Sequence, residues 1–335
     1  MELFKEKTIL VTGGCGSIGS EIVKQLLEYG PSSIRVLDNS EEGHFKLKQK
    51  INDSRIRHLI GDIRDRERAV RAMEGADIVF HAAALKHVNL CEYNPFEAVS
   101  TNVIGTKNLV DVAIQEKVDC FIGISTDKAV SPINTMGATK LLSEKIITNA
   151  PIGKNHVRFG CVRFGNVLNS SGSVIPIFKK QIQDGNEITI TDEKMTRFFM
   201  DLPDAINLVL KAATQVKGGE TFVLKMQAIK IQDLAEVLVE ELAPKYGKDP
   251  KDFKYKIIGA RPGEKIDECL LTKEESDYTV AIDDMLILRN SLLAKYGSDI
   301  KNMNNKINHA EYNSSNVKLL NKEGIRNILY EKNLI

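Results

Sequence analysis

Hydrophobic and polar positions follow two alternating patterns through the first half of the chain. Short runs rich in β-branched residues are apolar at almost every position, which is typical of strands buried on both faces. We expect such strands at 8–13, 33–38, 56–62, 77–84 and 120–125. Between the first two, "SEIVKQLLEYG" (20–30) carries apolar residues at helical spacing and ends at a glycine. This alternation predicts an α/β fold with a doubly wound parallel sheet and helices on both of its faces.

The second half of the chain is less regular. Residues 162–182 lose the regular pattern, and 202–215 is predicted to form a helix that returns to pack on the sheet. The asparagine-rich stretch 302–316 is interpreted as a loop or a mobile segment. With 335 residues the chain exceeds the size at which single cores usually stop growing, so we expect one large domain or two fused domains.

Composition narrows the class of protein. The net charge of +1 gives no reason to expect nucleic acid or an anionic membrane surface as a partner. The five cysteines form no CxxC pair, so we expect free thiols in a reducing compartment and no metal site. No apolar run approaches the roughly 18 residues of a membrane helix. The first predicted strand begins almost at once and leaves no room for a signal peptide, so we expect a cytoplasmic protein.

A glycine-rich segment, "TGGCGSIGSE", follows the first predicted strand and opens the first helix. Gly13, Gly16 and Gly19 would allow a tight turn, a close approach to a pyrophosphate, and close helix packing. The helix amino terminus would add free N–H groups that bind phosphate. A glycine trio alone could be a structural turn. Its position between a strand and a helix predicts a dinucleotide site.

An acidic residue completes this signature. Asp38 ends the second strand 38 − 19 = 19 residues after Gly19, close to the spacing of about 20 expected for an acid that binds the adenosine ribose. An acid there repels a 2′-phosphate, so NAD is favoured, although Arg35 and Lys46 could weaken that preference and leave NADP as an alternative. Asp62 could reach the adenine edge or simply cap a turn. The predicted cofactor-binding residues are Gly13, Gly16, Ser17, Ile18, Gly19, Asp38, Asp62, Ile63, Ala82, Ala83 and Lys140.

Two further segments lie at the carboxyl ends of predicted strands, where ligands bind in open α/β sheets: "HAAALKHV" (81–88) and "STDK" (125–128). A helix that begins near Met136 would carry Lys140 into the same crevice, because residues four apart share a helix face.

Together with the glycine pattern, these segments resemble the extended short-chain dehydrogenase/reductases. Within that superfamily the chain resembles the nucleotide-sugar 4,6-dehydratases of bacterial and archaeal glycan synthesis, particularly those acting on UDP-N-acetylglucosamine. The resemblance covers roughly residues 7 to 275. It depends on "TGGCGSIGSE", "HAAALKHV", "STDKAVSPINTMGATK", "VRFGNVLNSSGSVIPIF", "MTRFFM" and "ARPGEK". Met136 replaces the usual tyrosine, which is typical of one branch of these dehydratases; a methionine there could equally be a core-filling side chain.

The resemblance implies a Rossmann-like NAD-binding domain at 1–165, to which 202–230 returns. It also implies a smaller, interleaved α/β substrate-binding lobe, formed by 166–201 and by 231–335 with the C-terminal tail.

Dehydration across C4 to C6 of a sugar requires an acid or base near O4 and O6 and a base at C5. The resemblance points to Asp127 and Lys128 for this work. Lys128 would take the C5 proton as a neutral amine, which partial burial near a cofactor cation would favour by lowering its pKa. Asp127 would protonate the departing hydroxyl and, with Thr126, handle the O4 proton, while Lys140 would bind the nicotinamide ribose. The alternative is that Asp127 and Lys128 form a solvated turn.

The sugar nucleotide would contact residues farther along the chain. Asn166 resembles the family's substrate-contacting asparagine. Arg197 and Arg261 resemble pyrophosphate clamps, because a guanidinium fork suits phosphate oxygens, although either could be a surface cation. Glu264 could pair with Arg261 and orient it, and His87 could equally be structural. The predicted substrate-binding residues are Lys86, His87, Asn166, Ser173, Val174, Arg197, Arg261 and Glu264.

The activity implied is that of an NAD-dependent hydro-lyase converting UDP-N-acetylglucosamine to a UDP-2-acetamido-2,6-dideoxy-4-keto-hexose for surface glycan biosynthesis. The segment "DNSEEG" (38–43) resembles the branch that retains the C5 configuration. The resemblance also implies a homo-oligomer. Two alternatives stay open: a nucleotide-sugar 4-epimerase, which has no need for Asp127 and Lys128 as an elimination pair, and a non-catalytic NAD-binding protein, which the missing tyrosine favours.

Overall fold

A computed structural model describes residues 1–153, 156–167, 174–185, 187–260, 263–292, 307 and 311–335. The strands are β1 Thr8–Thr12, β2 Ser33–Asp38, β3 Ile56–Ile60, β4 Ile78–His81, β5 Cys120–Thr126, β6 Arg158–Phe164, β7 Asn166–Val167, β8 Ile188–Ile190, β9 Thr196–Met200, β10 Glu220–Leu224, β11 Gln227–Lys230, β12 Tyr255–Ile257, β13 Cys269–Leu271, β14 Thr279–Ile282, β15 Met285–Leu288 and β16 Tyr312–Asn313. The helices are α1 Ser17–Leu27, α2 Glu41–Lys50, α3 Arg66–Met73, α4 Val88–Tyr93, α5 Pro95–Ala98, α6 Thr106–Gln115, α7 Thr135–Asn149, α8 Val174–Asp184, α9 Leu202–Gln215, α10 Ile231–Leu242, α11 Lys273–Ser276 and α12 Lys322–Glu331.

Nine of these strands form one large sheet in the order β14–β15–β10–β6–β5–β4–β1–β2–β3. The order from β3 to β6 reverses between β1 and β4, which is the doubly wound arrangement, and the predicted Rossmann-like α/β fold is therefore confirmed. β10 continues the parallel part, while β15 pairs antiparallel with both β10 and β14. The reversal between β1 and β4 opens a crevice at the carboxyl edge of the sheet.

Apolar side chains fill both faces of this sheet. On one face, Ile22 of α1 and Ile206 of α9 join a core with Phe222 of β10, and on the other Val112 of α6 packs with Phe121 of β5. These positions are fully buried, which explains why the strand sequences are apolar at nearly every position.

A second core lies beneath α8, α10 and α12. There Phe178, Ile190 and Leu238 pack together. Among the three small sheets of the described chain, β12–β8 belongs to this core, β11–β9–β7 contributes to both cores, and β13–β16 packs on the core of the large sheet. β7 follows directly on β6, so this second region begins at the carboxyl edge of the large sheet.

The start of α7 matters most for the crevice. Asn134 caps this helix by accepting the N–H of Gly137 at 2.7 Å, as expected for an asparagine at an N-cap. The cap begins the helix at Thr135, so Met136 and Lys140 share a face as predicted.

Several boundaries differ from the sequence prediction. α1 begins at Ser17 rather than at residue 20, because Gly16 is its N-cap, and it ends at Leu27. Gly30, at φ +67°, belongs to the turn that follows. β1, β3 and β4 end one to three residues early, because the chain leaves the sheet to enter the crevice; Gly13 turns at φ +66° immediately after β1. The predicted helix at 202–215 is confirmed as α9.

The last third of the chain also departs from expectation. β14 and β15 fall within the range assigned to the substrate lobe, yet they extend the large sheet, because their buried apolar residues pair with β10. Tyr312–Asn313 forms a strand that pairs with β13 rather than a loop. Residues 314–316 form a turn, as expected for a loop, and 302–306 and 308–310 lie outside the described residues. The remaining domain boundaries stay a prediction.

Candidate active site

A cavity of about 1270 Å³ lies at the carboxyl ends of β1, β2, β4, β5 and β6 and extends to β9 and α10. Every predicted catalytic, cofactor-binding and substrate-binding residue that the structure describes lines this cavity. Ser173 and Arg261 lie outside the described residues. Residues chosen from separate motifs across more than 250 positions are thus brought to one surface.

The glycine-rich turn forms one end of the cavity. A Cβ on Gly13 would lie 2.6 Å from the Cα of Ala83, and a Cβ on Gly19 would lie 2.2 Å from the carbonyl oxygen of Gly13. Both contacts are too short for any side chain, so this path of the chain requires glycine. Gly16, the N-cap of α1, provides no side-chain cap, which leaves the first N–H groups of the helix available to an anion.

Asp38 lies beside this turn and is held in one orientation. Its Oδ2 accepts the N–H of Cys15 and its Oδ1 accepts the N–H of Ser40, each at 3.0 Å. The carboxylate therefore presents a fixed negative edge to the cavity.

Asp62 is occupied by its neighbour. Arg64 donates its backbone N–H to Asp62 Oδ1 at 2.9 Å and its Nη2 to Oδ2 at 2.7 Å. These hydrogen bonds hold the pKa of Asp62 below its ordinary value. Asp62 therefore caps a turn, as one interpretation of the sequence predicts, and it also lines the cavity. Ile63 is buried, and its Cδ1 would lie 2.7 Å from a Cβ on Gly105. Ile63 is therefore part of the core as well as of the cavity wall.

Asp127 and Lys128 follow β5 in a single turn of 3-10 helix. Asp127 is only 3% exposed, and Thr126 Oγ1 donates to its Oδ1 at 2.7 Å. Lys128 Nζ lies 3.1 Å from both carboxylate oxygens. Asp127 is buried and the Lys128 side chain is 31% exposed, and the hydrogen bonds between them at the cavity wall favour a site pair over a solvated turn.

Glu268, which the sequence analysis did not identify, completes this cluster. It lies just before β13, and its Oε1 is 3.8 Å from Lys128 Nζ and accepts from Asn166 Nδ2 at 2.6 Å. Its Oε2 accepts the N–H of Phe198 at 3.0 Å. An acid preceding the apolar "CLL" was the only signal in the sequence, and it is too common to be informative.

Burial and charge act differently on the members of this cluster. Burial alone lowers the pKa of Lys128, but the neighbouring carboxylates of Asp127 and Glu268 outweigh it, and the pKa is raised. The direction is opposite to the expected lowering, because the charges of Asp127 and Glu268 together outweigh burial. Burial, reinforced by the charge of Asp127, raises the pKa of Glu268 to about 7.

Lys140 projects from α7 beneath the cavity. Its Nζ donates to the carbonyl oxygen of Ile124 at 2.6 Å, and burial lowers its pKa. Met136, one turn earlier, is 3% exposed and packs with Cys91 and Ala98. The thioether fills space beside the site and has no proton to exchange.

Arg197 does not present a free guanidinium. Its Nη1 donates to the carbonyl oxygens of Thr196 and Ile266, each at 2.7 Å, and its Nη2 to that of Lys265 at 2.9 Å. Its Nε lies 3.3 Å from Glu268 Oε1. Because its donors are used within the protein, Arg197 braces the segment before β13, and these contacts do not support a pyrophosphate clamp.

The other predicted substrate residues surround the same space. Glu264 Oε1 lies 3.7 Å from Arg197 Nη2, and its predicted pairing with Arg261 falls on a residue outside the described ones. Lys86 and His87 are exposed at the entry to α4, and Val174 begins α8 on the opposite wall.

Comparisons with known proteins agree with this site. The family described as polysaccharide biosynthesis protein matches residues 9–290. A Methanocaldococcus jannaschii protein described as an uncharacterized membrane protein is 56% identical over 98% of this chain and 96% of its own. The inverting UDP-N-acetylglucosamine 4,6-dehydratase of Campylobacter jejuni is 41% identical over 87% and 85%. A UDP-glucose 4-epimerase of Rickettsia rickettsii is 38% identical over 98% and 96%.

Solved structures share the fold of this chain. The structure of Pen from Bacillus thuringiensis superposes with a TM-score of 0.90 at 43% identity, covering 99% of both chains. DesIV of Streptomyces venezuelae, a dTDP-glucose 4,6-dehydratase with NAD and TYD bound, has the same fold: the TM-score is 0.68 at 24% identity, over 77% of this chain and 86% of that one. Within the described part of this chain, no helix is both long and apolar enough to cross a membrane.

Proposed function

The chain belongs to the polysaccharide biosynthesis protein family of the extended short-chain dehydrogenase/reductases, and from that premise we propose that it is an NAD-dependent nucleotide-sugar 4,6-dehydratase acting on UDP-N-acetylglucosamine. Its relatives include nucleotide-sugar dehydratases and epimerases. The observation that carries the choice of dehydratase is the hydrogen-bonded pair of the buried Asp127 and the partly exposed Lys128 at the cavity wall, since an epimerase has no hydroxyl to expel.

The glycine turn supports NAD as the cofactor. Gly13 and Gly19 keep the cavity end clear of side chains, the uncapped start of α1 offers N–H groups to a pyrophosphate, and Asp38 offers its carboxylate to ribose hydroxyls. Lys140 would bind the second ribose. When bound, NAD would take a hydride from C4 of the sugar and return it at C6.

Asp127 would carry one proton between two oxygens of the substrate. As a carboxylate, aligned by the Thr126 hydroxyl, it accepts the O4 proton while C4 is oxidised. It then donates that proton to the O6 hydroxyl, which leaves as water. The proton removed from O4 thus appears in the water produced, and Asp127 returns to its starting state.

Lys128 would act at C5. The C4 ketone acidifies the C5–H bond, and the neutral amine of Lys128 takes that proton as the C6–O bond breaks. The resulting ammonium returns the proton to C5 when the hydride returns to C6. Asn166 and Val174 would line the sugar-nucleotide side of the cavity.

The test is proton NMR of the product formed from UDP-N-acetylglucosamine in deuterated water. We expect a C6 methyl group, a C4 ketone and solvent deuterium at C5 in part of the product, because the Lys128 ammonium that returns a proton to C5 also carries deuterons from the solvent. Asp127→Asn and Lys128→Ala should each lower turnover about 100-fold or more. Asp111→Asn, in an exposed i,i+4 pair with Lys107 on α6, serves as a matched control and should leave turnover unchanged.

Three outcomes would contradict the proposal. Near-normal turnover in both variants would remove the assigned roles. A product that keeps its C6 hydroxyl and differs at C4 would indicate an epimerase, and binding without turnover would indicate a non-catalytic protein. The same spectrum decides the C5 configuration, where "DNSEEG" predicts retention and the Campylobacter relatives are inverting enzymes.

We also propose that the enzyme is a homo-oligomer. Leu90, Tyr93 and Phe96, on α4 and α5, are 63–87% exposed apolar side chains, and a covered surface would account for them. Light scattering after size exclusion would measure the assembly, and a monomer at micromolar concentration would refute this.

A further inference from the structure

Lys128 must lose a proton before it can accept one from carbon. Its Nζ lies against two carboxylates, which hold it as an ammonium. A base that starts protonated requires an acceptor within the closed site, because water is excluded once substrate fills the cavity. A group close to Lys128 must therefore accept its proton.

Two carboxylates are near enough. Asp127 is 3.1 Å from Lys128 Nζ, but the proposed reaction requires its carboxylate for the O4 proton. Glu268 is 3.8 Å away and is 3% exposed. It belongs to the segment before β13, far in sequence from Lys128, and the proposed reaction assigns it no other role.

Glu268 is held in place from three directions. Asn166 of β7 donates to its Oε1, the N–H of Phe198 in β9 donates to its Oε2, and its own N–H donates to Ser314 Oγ at 2.9 Å. Its carboxylate is thereby fixed toward Lys128, not free to rotate into the cavity. Small movement of the flexible lysine side chain would close the remaining gap.

We propose that Glu268 is a positioning residue that accepts the proton of Lys128 and so generates the neutral amine, an inference that rests on the proposed dehydratase function. The transfer converts the Lys128 ammonium and Glu268 carboxylate to an amine and a carboxylic acid. Lys128 then takes the C5 proton and returns it to C5 at the end. Glu268 finally gives its proton back to Lys128, and no proton is gained or lost over the cycle.

Burial favours this transfer. Moving the proton removes two charges from a poorly solvated site, which relieves the desolvation penalty of both groups. Four charged groups face Glu268: Asp127 and Lys128 after β5, Arg197 on β9, and Lys265 on its own segment. Burial and Asp127 raise the pKa of Glu268 to about 7, against the effect of the cations, so its protonated form is accessible at neutral pH.

The test compares three variants by the pH dependence of kcat/KM for UDP-N-acetylglucosamine. In the wild type, kcat/KM should rise through about pH 7 as Glu268 ionises. Glu268→Gln keeps the size and shape of the side chain but removes its ability to accept the proton. It should lower kcat/KM at pH 8 by about 100-fold and abolish the rise through pH 7. Glu268→Asp keeps a carboxylate and should restore part of both. Glu241→Gln, which also breaks an ion pair with an arginine but lies on α10 against Arg326, should match the wild type.

A second measurement is independent of turnover. With glutamate labelled by ¹³C at its side-chain carboxyl, the wild type should show one carboxyl resonance that titrates near pH 7 and is missing in Glu268→Gln. A wild-type pH profile in Glu268→Gln, or the absence of that resonance, would overturn the inference. If the wild type does not dehydrate the substrate, the proposed function fails, and the NMR titration still decides whether Glu268 can hold the proton.

Discussion

Replacing Arg163 with methionine should destabilise the protein severely. Arg163 on β6 is fully buried; its Nη2 is 2.5 Å from Glu144 Oε1 and its Nη1 is 2.9 Å from Glu275 Oε2. Glu144, on α7, also accepts the hydroxyl of Ser125 at 2.7 Å. The cluster ties β5 and β6 to the helix that carries Lys140, so its loss affects both stability and the site.

The magnitude follows from what the substitution leaves behind. Glu144 is 2% exposed, and without Arg163 its carboxylate keeps only the Ser125 hydroxyl among these partners. Breaking a buried ion pair by removing one partner costs about 3–5 kcal/mol. Glu275 is partly exposed and can be solvated, so it adds little. At about 2 °C per kcal/mol for a chain of this size, the apparent Tm should fall by roughly 6–10 °C.

The assay is thermal unfolding followed by circular dichroism at pH 7.5. Arg158→Met, at the other end of β6, removes only a 3.3 Å hydrogen bond to the carbonyl oxygen of Val216 and should cost about 1 kcal/mol. The double variant Glu144→Met with Arg163→Met should recover much of the loss, because the remaining carboxylate, Glu275, is partly exposed and can be solvated. A loss below about 1 kcal/mol in Arg163→Met would refute this reasoning.

The same cluster predicts a pH dependence. Burial alone would raise the pKa of Glu144. The charge and hydrogen bonds of Arg163, with the hydrogen bond from Ser125, outweigh burial, so the pKa is lowered. The carboxylate therefore contributes stability above its unfolded pKa of about 4.3, and this contribution is lost as pH falls through the lower folded value. Without Arg163 the pKa should rise, so the stability difference between variant and wild type should narrow in acid.

Three further predictions concern the cofactor end and the sheet. Gly19→Ala places a Cβ 2.2 Å from the Gly13 carbonyl oxygen, so calorimetry should show NAD binding weakened at least about tenfold. Asp38→Ala should bring the Kd values for NAD and NADP together in a fluorescence titration, and an unchanged ratio would contradict the assigned role. Burial lowers the pKa of His81 to about 3, below its unfolded value of about 6.5, so the unfolded chain binds the extra proton. Stability should therefore fall as pH drops from about 6.5 toward 3, and urea midpoints of His81→Gln should lose that slope.

The fold and the cofactor end could be predicted because they depend on local features. Strands such as β1 and β4 are buried on both faces, so their sequences are apolar throughout and are easily recognised. The glycines of the first turn are required by close backbone contacts between neighbouring strands. Strand ends were less predictable, because Ala82 and Ala83 are apolar yet line the cavity instead of extending β4.

The roles of Arg197 and Lys128 show where sequence reasoning stops. A guanidinium can bind a phosphate or three carbonyl oxygens, and the residue type does not distinguish the two; here the carbonyls of Thr196, Lys265 and Ile266 use it. For Lys128, partial burial could be predicted from the motif, but Glu268 is 268 − 128 = 140 residues away, and its charge adds to that of Asp127 in raising the pKa against burial. Protonation depends on the field from every nearby charge, and that field exists only after the two regions of the chain have come together. The protonation state of Lys128 is therefore set by Asp127 beside it and by Glu268 from a distant segment, and only Asp127 belongs to the motif that carries Lys128.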